Sequence, residues 1–252
     1  MSNPAHKPHP DFKAVEATRP EFEYSSKLRF TKTPSPSWAF GSGPNSEHPS
    51  TSLSHVSIDP HAEGRPIGFN YKLLISAIVP RPIAFVSTLS PDGKTQNLAP
   101  FSYFNFVNHD PPILVVGFSS SVASAKDTLR NVLESKEAVI NIISETFVEA
   151  ANSTSINAPY GVSEWDVAGL TPVYDTETVK APRVKEAVFS VEVKLHDFTE
   201  FDSKSKPGQK SGTMCTFEGT RFWAREDAIN EDRNMIDPEV SHIHRSNPIS
   251  RY

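Results

Sequence analysis

Residues 78–118 read IVPRPIAFVSTLSPDGKTQNLAPFSYFNFVNHDPPILVVGF. Apolar, β-branched and aromatic residues dominate, and Pro91-Asp92-Gly93 and Asp110-Pro111-Pro112 punctuate the run. That composition favours strands. Residues 83–89, an Asp-Gly turn and residues 95–103 follow one another as a β-hairpin does in sequence. Residues 112–118 then supply a third, nearly continuous apolar strand. Arg81, Ser87, Thr88, Asn97 and Ser102 interrupt the apolar pattern. Hydrogen-bonding side chains are costly in a core strand unless a polar group meets them. A phosphate-bearing cofactor is the partner this pattern suggests.

On the N-terminal side, Phe69, Tyr71, Leu73, Leu74, Ile75 and Ile78 predict one or two helical turns within residues 67–79. On the C-terminal side, residues 124–135 have the clearest helical period, with Ala125, Leu129, Val132 and Leu133 at i, i+4, i+7 and i+8. Ser124 is the expected N-cap, and Asp127 follows three residues later as in a capping box. Residues 138–143 predict a short buried strand, 144–151 a helix capped by Ser144, and 164–170 a surface turn that places Trp165. Ala187, Phe189, Val191, Val193 and Leu195 alternate with Ser190, Glu192 and Lys194, the period of a half-buried strand. A polar loop at 202–211 and a strand at 213–224 complete the pattern. Strands outnumber helices, so the expected fold class is mainly β (β with α): a closed antiparallel barrel with covering helices, since closure removes exposed edges.

The chain has 252 residues, enough for one core plus a long tail. Residues 1–66 hold ten of the 22 prolines and read as a Pro-rich extended N-terminal arm. Its Phe12, Phe22, Tyr24, Phe30, Trp38 and Phe40 suggest that parts lie along the core domain, residues 67–252, or along a partner subunit, the alternative being a mostly mobile leader. A net charge of −5 without a basic patch argues against nucleic acid. No apolar run reaches about 18 residues, so no membrane span is expected. A lone cysteine, Cys215, and a polar N-terminus point to a reducing, cytoplasmic compartment. Cys215 sits in a strand-like run, where a buried small hydrophobe is the simpler reading than a reactive thiol.

Three elements offer contacts to an anion. Arg81 lies at the mouth of the first strand, Ser87 and Thr88 in its far half, and Lys126, Asp127 and Thr128 in the first turn of the capped helix. A helix N-terminus presents unpaired N–H groups and about half a positive charge. An ordinary solvated first turn and an exposed arginine would read the same way. In residues 97–102 (NLAPFS), Pro100 removes a ladder donor, so the strand is an edge, a bulge or a bend. Its small side chains let a flat, hydrogen-bonding ring lie against the main chain. Phe101, Tyr103, Phe104 and Phe106 fit core packing as well as a cofactor stack. His242 and His244 share one strand face, but no third ligand stands near, so no metal site is expected. No Ser-His-Asp set, paired carboxylates or GxGxxG fingerprint is present, and no catalytic residue is assigned.

PRPIAFVST, DG, NLAPFSYFNFV, DPPILVVGF and KDTLRN, in that order and spacing, resemble the flavin reductase-like proteins, the FMN-binding split-barrel flavoproteins related to flavoredoxin, and the Pro-rich leader resembles that of fungal members. The resemblance covers about residues 67–224 and includes SEWDVAGL at 163–170. It implies a six-stranded FMN-binding split β-barrel that forms a homodimer, with FMN at the subunit interface. By the same resemblance, Arg81, Ser87 or Thr88 and the Lys126-Asp127-Thr128 turn hold the phosphate, with Asn131 nearby. The ring lies against Asn97, Ala99, Pro100, Phe101 and Ser102. The implied activity is hydride transfer from NADH or NADPH to bound flavin, then to free flavin for a partner oxygenase or to a small organic acceptor. The alternative is an FMN-binding electron carrier or sensor without efficient turnover. Residues 242–252 resemble the start of the family's C-terminal segment and stop where relatives continue through a glycine-rich turn, which implies either a truncated chain or a more open substrate side.

Overall fold

The computed structural model describes residues 13–14, 17–19, 32–44, 53–156 and 162–241. The expected hairpin forms as β1 (Ala84–Leu89) and β2 (Gln96–Phe101), paired antiparallel with Ala84 opposite Phe101 and Thr88 opposite Asn97. Gly93 at its turn takes φ of +74°, a conformation open to glycine at no steric cost. The sequence reading missed β3 (Phe104–His109), whose alternation is blurred by Asn105 and Asn108 and which leaves Phe106 70% and Val107 60% exposed. β3 pairs with β4 (Pro112–Phe118), as expected for residues 112–118. Between them, Gly117 meets Tyr103; a Cβ added there would lie 3.0 Å from the tyrosine Cβ.

The preceding helix α1 (Ile67–Ala77) runs for 11 residues, longer than the sequence reading, and buries none of them. The clearest predicted helix starts later than its sequence suggests. Ser121, not Ser124, receives an amide with its side chain, closing a short 3-10 turn at Val122–Ser124, and α2 (Asp127–Ser135) begins after Lys126. The capping box is therefore not made: Ser124 lies one element upstream, and Asp127 is the first residue of the helix rather than its third.

β5 (Glu137–Ile142) follows as predicted, and a 3-10 turn at Glu145–Phe147 leads into α3 (Val148–Ser153). Ser144 does not cap it; its hydroxyl pairs with Thr146 instead. α4 (Glu164–Ala168), β6 (Pro172–Val173), β7 (Arg183–Val184), the long strands β8 (Phe189–Asp202) and β9 (Lys210–Ala224), and α5 (Pro238–Ser241) complete the described chain. Seven antiparallel strands pair in the order β2-β1-β5-β8-β9-β4-β3.

The sheet curls around one core. Ala84, Val86, Leu114, Val116, Ile140, Val191, Val193, Cys215 and Phe217 converge on Leu129 and Val132 of α2. The curl brings β2 toward β4 without hydrogen bonding them, and the seam is filled by Phe101 edge-on to Phe118 at 4.8 Å. This is a barrel split along one side. Burial pushes the Cys215 thiol up to about 12, so it serves as packing, not as a nucleophile. A second cluster outside the barrel wall joins Phe85, Leu98, Phe147, Trp165 and Val184. Of the leader's described aromatics, Trp38 and Phe40 are exposed and meet edge-on. Phe12, Phe22, Tyr24 and Phe30, like His242 and His244, lie outside the described residues. No helix among the described residues is long and apolar enough to cross a membrane.

Candidate functional site

Strand alternation sorts the predicted residues into two faces. Ala84, Val86 and Thr88 point to the barrel core and α2, whereas Phe85 and Ser87 point outward with Leu98. Ser87 and Thr88 therefore cannot serve one contact. The Ser87 hydroxyl is fully buried on the outer face without a hydrogen-bond partner.

On the inner face, four predicted residues do meet. Asn97 Nδ2 donates to Thr128 Oγ1 at 2.6 Å, and Asn131 Nδ2 donates to Thr88 Oγ1 at 3.1 Å. All four are buried. The pair of bonds fastens the first turns of α2 to the hairpin. Each threonine accepts, so its own O–H proton remains available to a further acceptor. No side chain caps α2, whose first amides stand beside Lys126 and Thr128. Asp127 lies at 3.6 Å from Arg130 across one helical turn.

Pro100 behaves as an edge residue. Leu98 N turns away from β1 toward Glu164 Oε2 at 3.5 Å, and Pro100, two residues on, shares that orientation. The missing N–H thus costs no ladder bond. Ala99 and Phe101 share the inner face with Asn97; Pro100 and Ser102 are half-buried.

Arg81 is not brought to α2. Its Nη1 donates to Ile75 O at 2.7 Å and to Ile78 O, closing the C-terminal end of α1 beside Tyr103. That end of the hairpin stands beyond Ala84, about 13 Å along β1 from Thr88 at 3.3 Å per residue. The residues predicted around one phosphate therefore separate: Arg81 stands at the α1 end of the hairpin, Ser87 lies on the outer face, and Thr88, Lys126, Asp127, Thr128 and Asn131 gather at the start of α2.

Two further findings were not legible in the sequence. Trp165, expected on a surface turn, is 3% exposed in the second cluster, because residues 164–168 form a helix that turns it inward. Glu164, which the sequence reading places on the same surface turn, is buried against β2. Burial pushes its carboxyl up and Asp127 adds to the shift, against the pull of its own amide and that of Leu98. The folded state therefore favours the protonated form. Its stabilising contribution is complete below the ordinary glutamate value and is lost as pH rises through the raised one. Glu164→Gln keeps an acceptor for Leu98 and removes that loss. Thermal melts should show the variant gaining on the parent as pH rises and then levelling; a difference independent of pH would count against the assignment.

The model of the flavin reductase like domain matches residues 76–238, more than half of the chain. The chain belongs to the flavin reductase-like family. An uncharacterised protein of Aquifex aeolicus is 47% identical over 129 residues, 51% of this chain and 65% of that protein. The chain thus spans about two thirds of that curated relative's length. Among solved structures, nitrilotriacetate monooxygenase component B from Bacillus cereus superposes with a TM-score of 0.66 at 34% identity, covering 74% of this chain and 88% of the other. The Pseudomonas fluorescens 2-nitrobenzoate 2-nitroreductase gives 0.60 at 29% identity, covering 73% and 83%. A split barrel domain structure from Shewanella frigidimarina, at 0.54 and 21% identity over 65% and 76%, shares the fold. As in that structure, the barrel here is split. Among the described residues no cluster suited to a metal ion occurs.

Proposed function

We propose that this chain binds FMN along β2 and acts as an NAD(P)H-dependent oxidoreductase. The observation that carries the reading is the uncapped N-terminus of α2, where Lys126, backbone amides and the uncommitted Thr88 and Thr128 hydroxyl protons surround one corner. That donor set fits a phosphate dianion. The edge of β2 from Asn97 to Ser102 supports the flat ring, with Arg81 beside the far end. Bound flavin would supply the hydride-accepting ring, which explains the lack of a protein nucleophile or acid–base pair. The chain's own part is to orient the cofactor, hold its tail and keep water from one face. The Bacillus cereus relative is a monooxygenase component, which favours delivery of reduced flavin to a partner oxygenase; the Pseudomonas fluorescens relative reduces a small nitroaromatic acid, which favours direct reduction.

The proposal includes a homodimer. An 11-residue helix that buries none of its side chains gains little from folding alone. Ile67 at 65% exposure, Phe69 and Leu74 on α1, and Phe106 and Val107 on β3, give each of these elements the exposed apolar composition of a covered interface.

Incubating the purified chain with FMN should give flavin absorbance that survives gel filtration, and anaerobic NADH or NADPH should bleach it. Protein that stays colourless after excess FMN and excess FAD would sink the reading, and retained colour without bleaching would leave a carrier in place of an enzyme.

A further inference from the structure

Two carboxyl side chains are buried among the described residues, Glu164 and Glu192. Glu192 meets two amides, a hydroxyl and an indole N–H at ordinary hydrogen-bond distances. Glu164 has only its own amide and that of Leu98 at 3.5 Å, longer than an ordinary N–H···O bond. No cation among the described residues offsets its charge. A buried carboxylate so poorly met is costly, and at 7% exposure the acid form is the cheaper one. That form carries an O–H, and no acceptor for it occurs among the described residues.

The register of β2 places this proton. Asn97 lies opposite Thr88 and bonds Thr128 at the start of α2; Leu98 comes next and holds Glu164; Ala99 to Phe101 complete the strand. Glu164 therefore stands on the free edge of β2, one residue past the corner assigned to the phosphate and just before the stretch assigned to the ring. Asp127, in the first turn of α2, is close enough to act on its carboxyl. The other charged groups on the surrounding elements are Lys126 and Arg130 on α2, Glu149 on α3 and Asp166 on α4, all exposed, and β2 brings none.

We propose that Glu164 positions the phosphate-bearing arm of FMN and does so as the acid, donating its O–H to that arm, so that FMN binding takes up a proton at this residue. The role rests on the flavin reading and adds a condition to it. Ionised, Glu164 would set a second negative charge beside Asp127 against the incoming phosphate; neutral, it supplies a donor. Linkage makes the effect reciprocal: binding that favours the proton is favoured by it. FMN should therefore bind less tightly as pH rises, and riboflavin, which lacks the phosphate, should change far less.

The test is isothermal titration of the full chain with FMN and with riboflavin, in a pair of buffers that differ in ionisation enthalpy. A pH of about 8 lies well above the second phosphate ionisation at about 6, so the phosphate arrives as the dianion and brings no proton of its own. The difference in heat between the buffers counts the protons taken up. The parent should take up protons with FMN and far fewer with riboflavin, and Glu164→Gln should abolish the excess. At that pH the variant should also bind FMN at least about fivefold more tightly than the parent, the lower end of a coupling between sites. Equal uptake with the two flavins, or an excess unchanged in Glu164→Gln, would overturn the assignment and leave flavin binding standing. The parent's own comparison of FMN with riboflavin decides the matter if the variant does not fold. Absence of binding by either flavin would instead take the flavin reading down, and this role with it.

Discussion

Glu192→Ala is expected to destabilise the fold by about 3–5 kcal/mol, the scale of removing the charged partner from a buried polar network. Glu192 is fully buried in β8. Its carboxylate accepts from Glu177 N at 2.9 Å, from Thr178 N and Oγ1 at 2.6 Å each, and from Trp223 Nε1 at 2.7 Å. Alanine would leave two amides and an indole N–H without an acceptor, keep only Thr220 Oγ1 for the Thr178 hydroxyl, and release residues 174–183, the strap that carries Tyr174. Burial alone would raise the carboxyl, but the Thr178 hydroxyl, the two amides and the indole outweigh it and hold the carboxyl below its ordinary range. A depressed acid stabilises above its unfolded-state value, and that contribution is lost as pH falls through the lower folded one. Urea melts should therefore show the parent weakening on acidification in a way that Glu192→Gln does not. An alanine variant within about 0.5 kcal/mol of the parent, the range of an ordinary surface change, would mean the strap is held by something else.

Glu192 and Glu164 also show where sequence reading stops. Glu192 sits between Val191 and Val193 in an alternating strand pattern, and Glu164 opens a stretch that reads as a surface turn. Period-two alternation assigns Glu192 to the solvent face, yet the 174–183 strap covers that face, and nothing local announces a covering segment 15 residues away. The hairpin, β4, β5 and the α2 periodicity were legible because local composition and burial agree there. β3 was not, because a strand that exposes Phe106 and Val107 has no buried partner to impose its period. The residues at the site were recognisable as types, but their grouping depended on facing. Ser87 and Thr88 diverge across β1, and Arg81 folds back onto α1, facts set by register and by a helix end that spacing does not encode.

That separation makes the last prediction a sharp one. Lys126→Ala should weaken FMN binding about 10- to 150-fold, the worth of a hydrogen bond to a charged group at about 1.5–3 kcal/mol. It should leave riboflavin, which lacks the phosphate, bound as before. The ratio of the two affinities isolates the tail from the ring, and isothermal titration of both ligands against each variant measures it. Arg81→Ala removes the donor that closes α1 through Ile75 O, so it should loosen that helix and disturb the ring end. It should change FMN and riboflavin affinity together, leaving their ratio near that of the parent. If the ratio collapses in Arg81→Ala and holds in Lys126→Ala, the phosphate lies at the α1 end of β2. The α2 corner would then be a structural joint of Thr88, Asn97, Thr128 and Asn131, with the cofactor running the other way along β2.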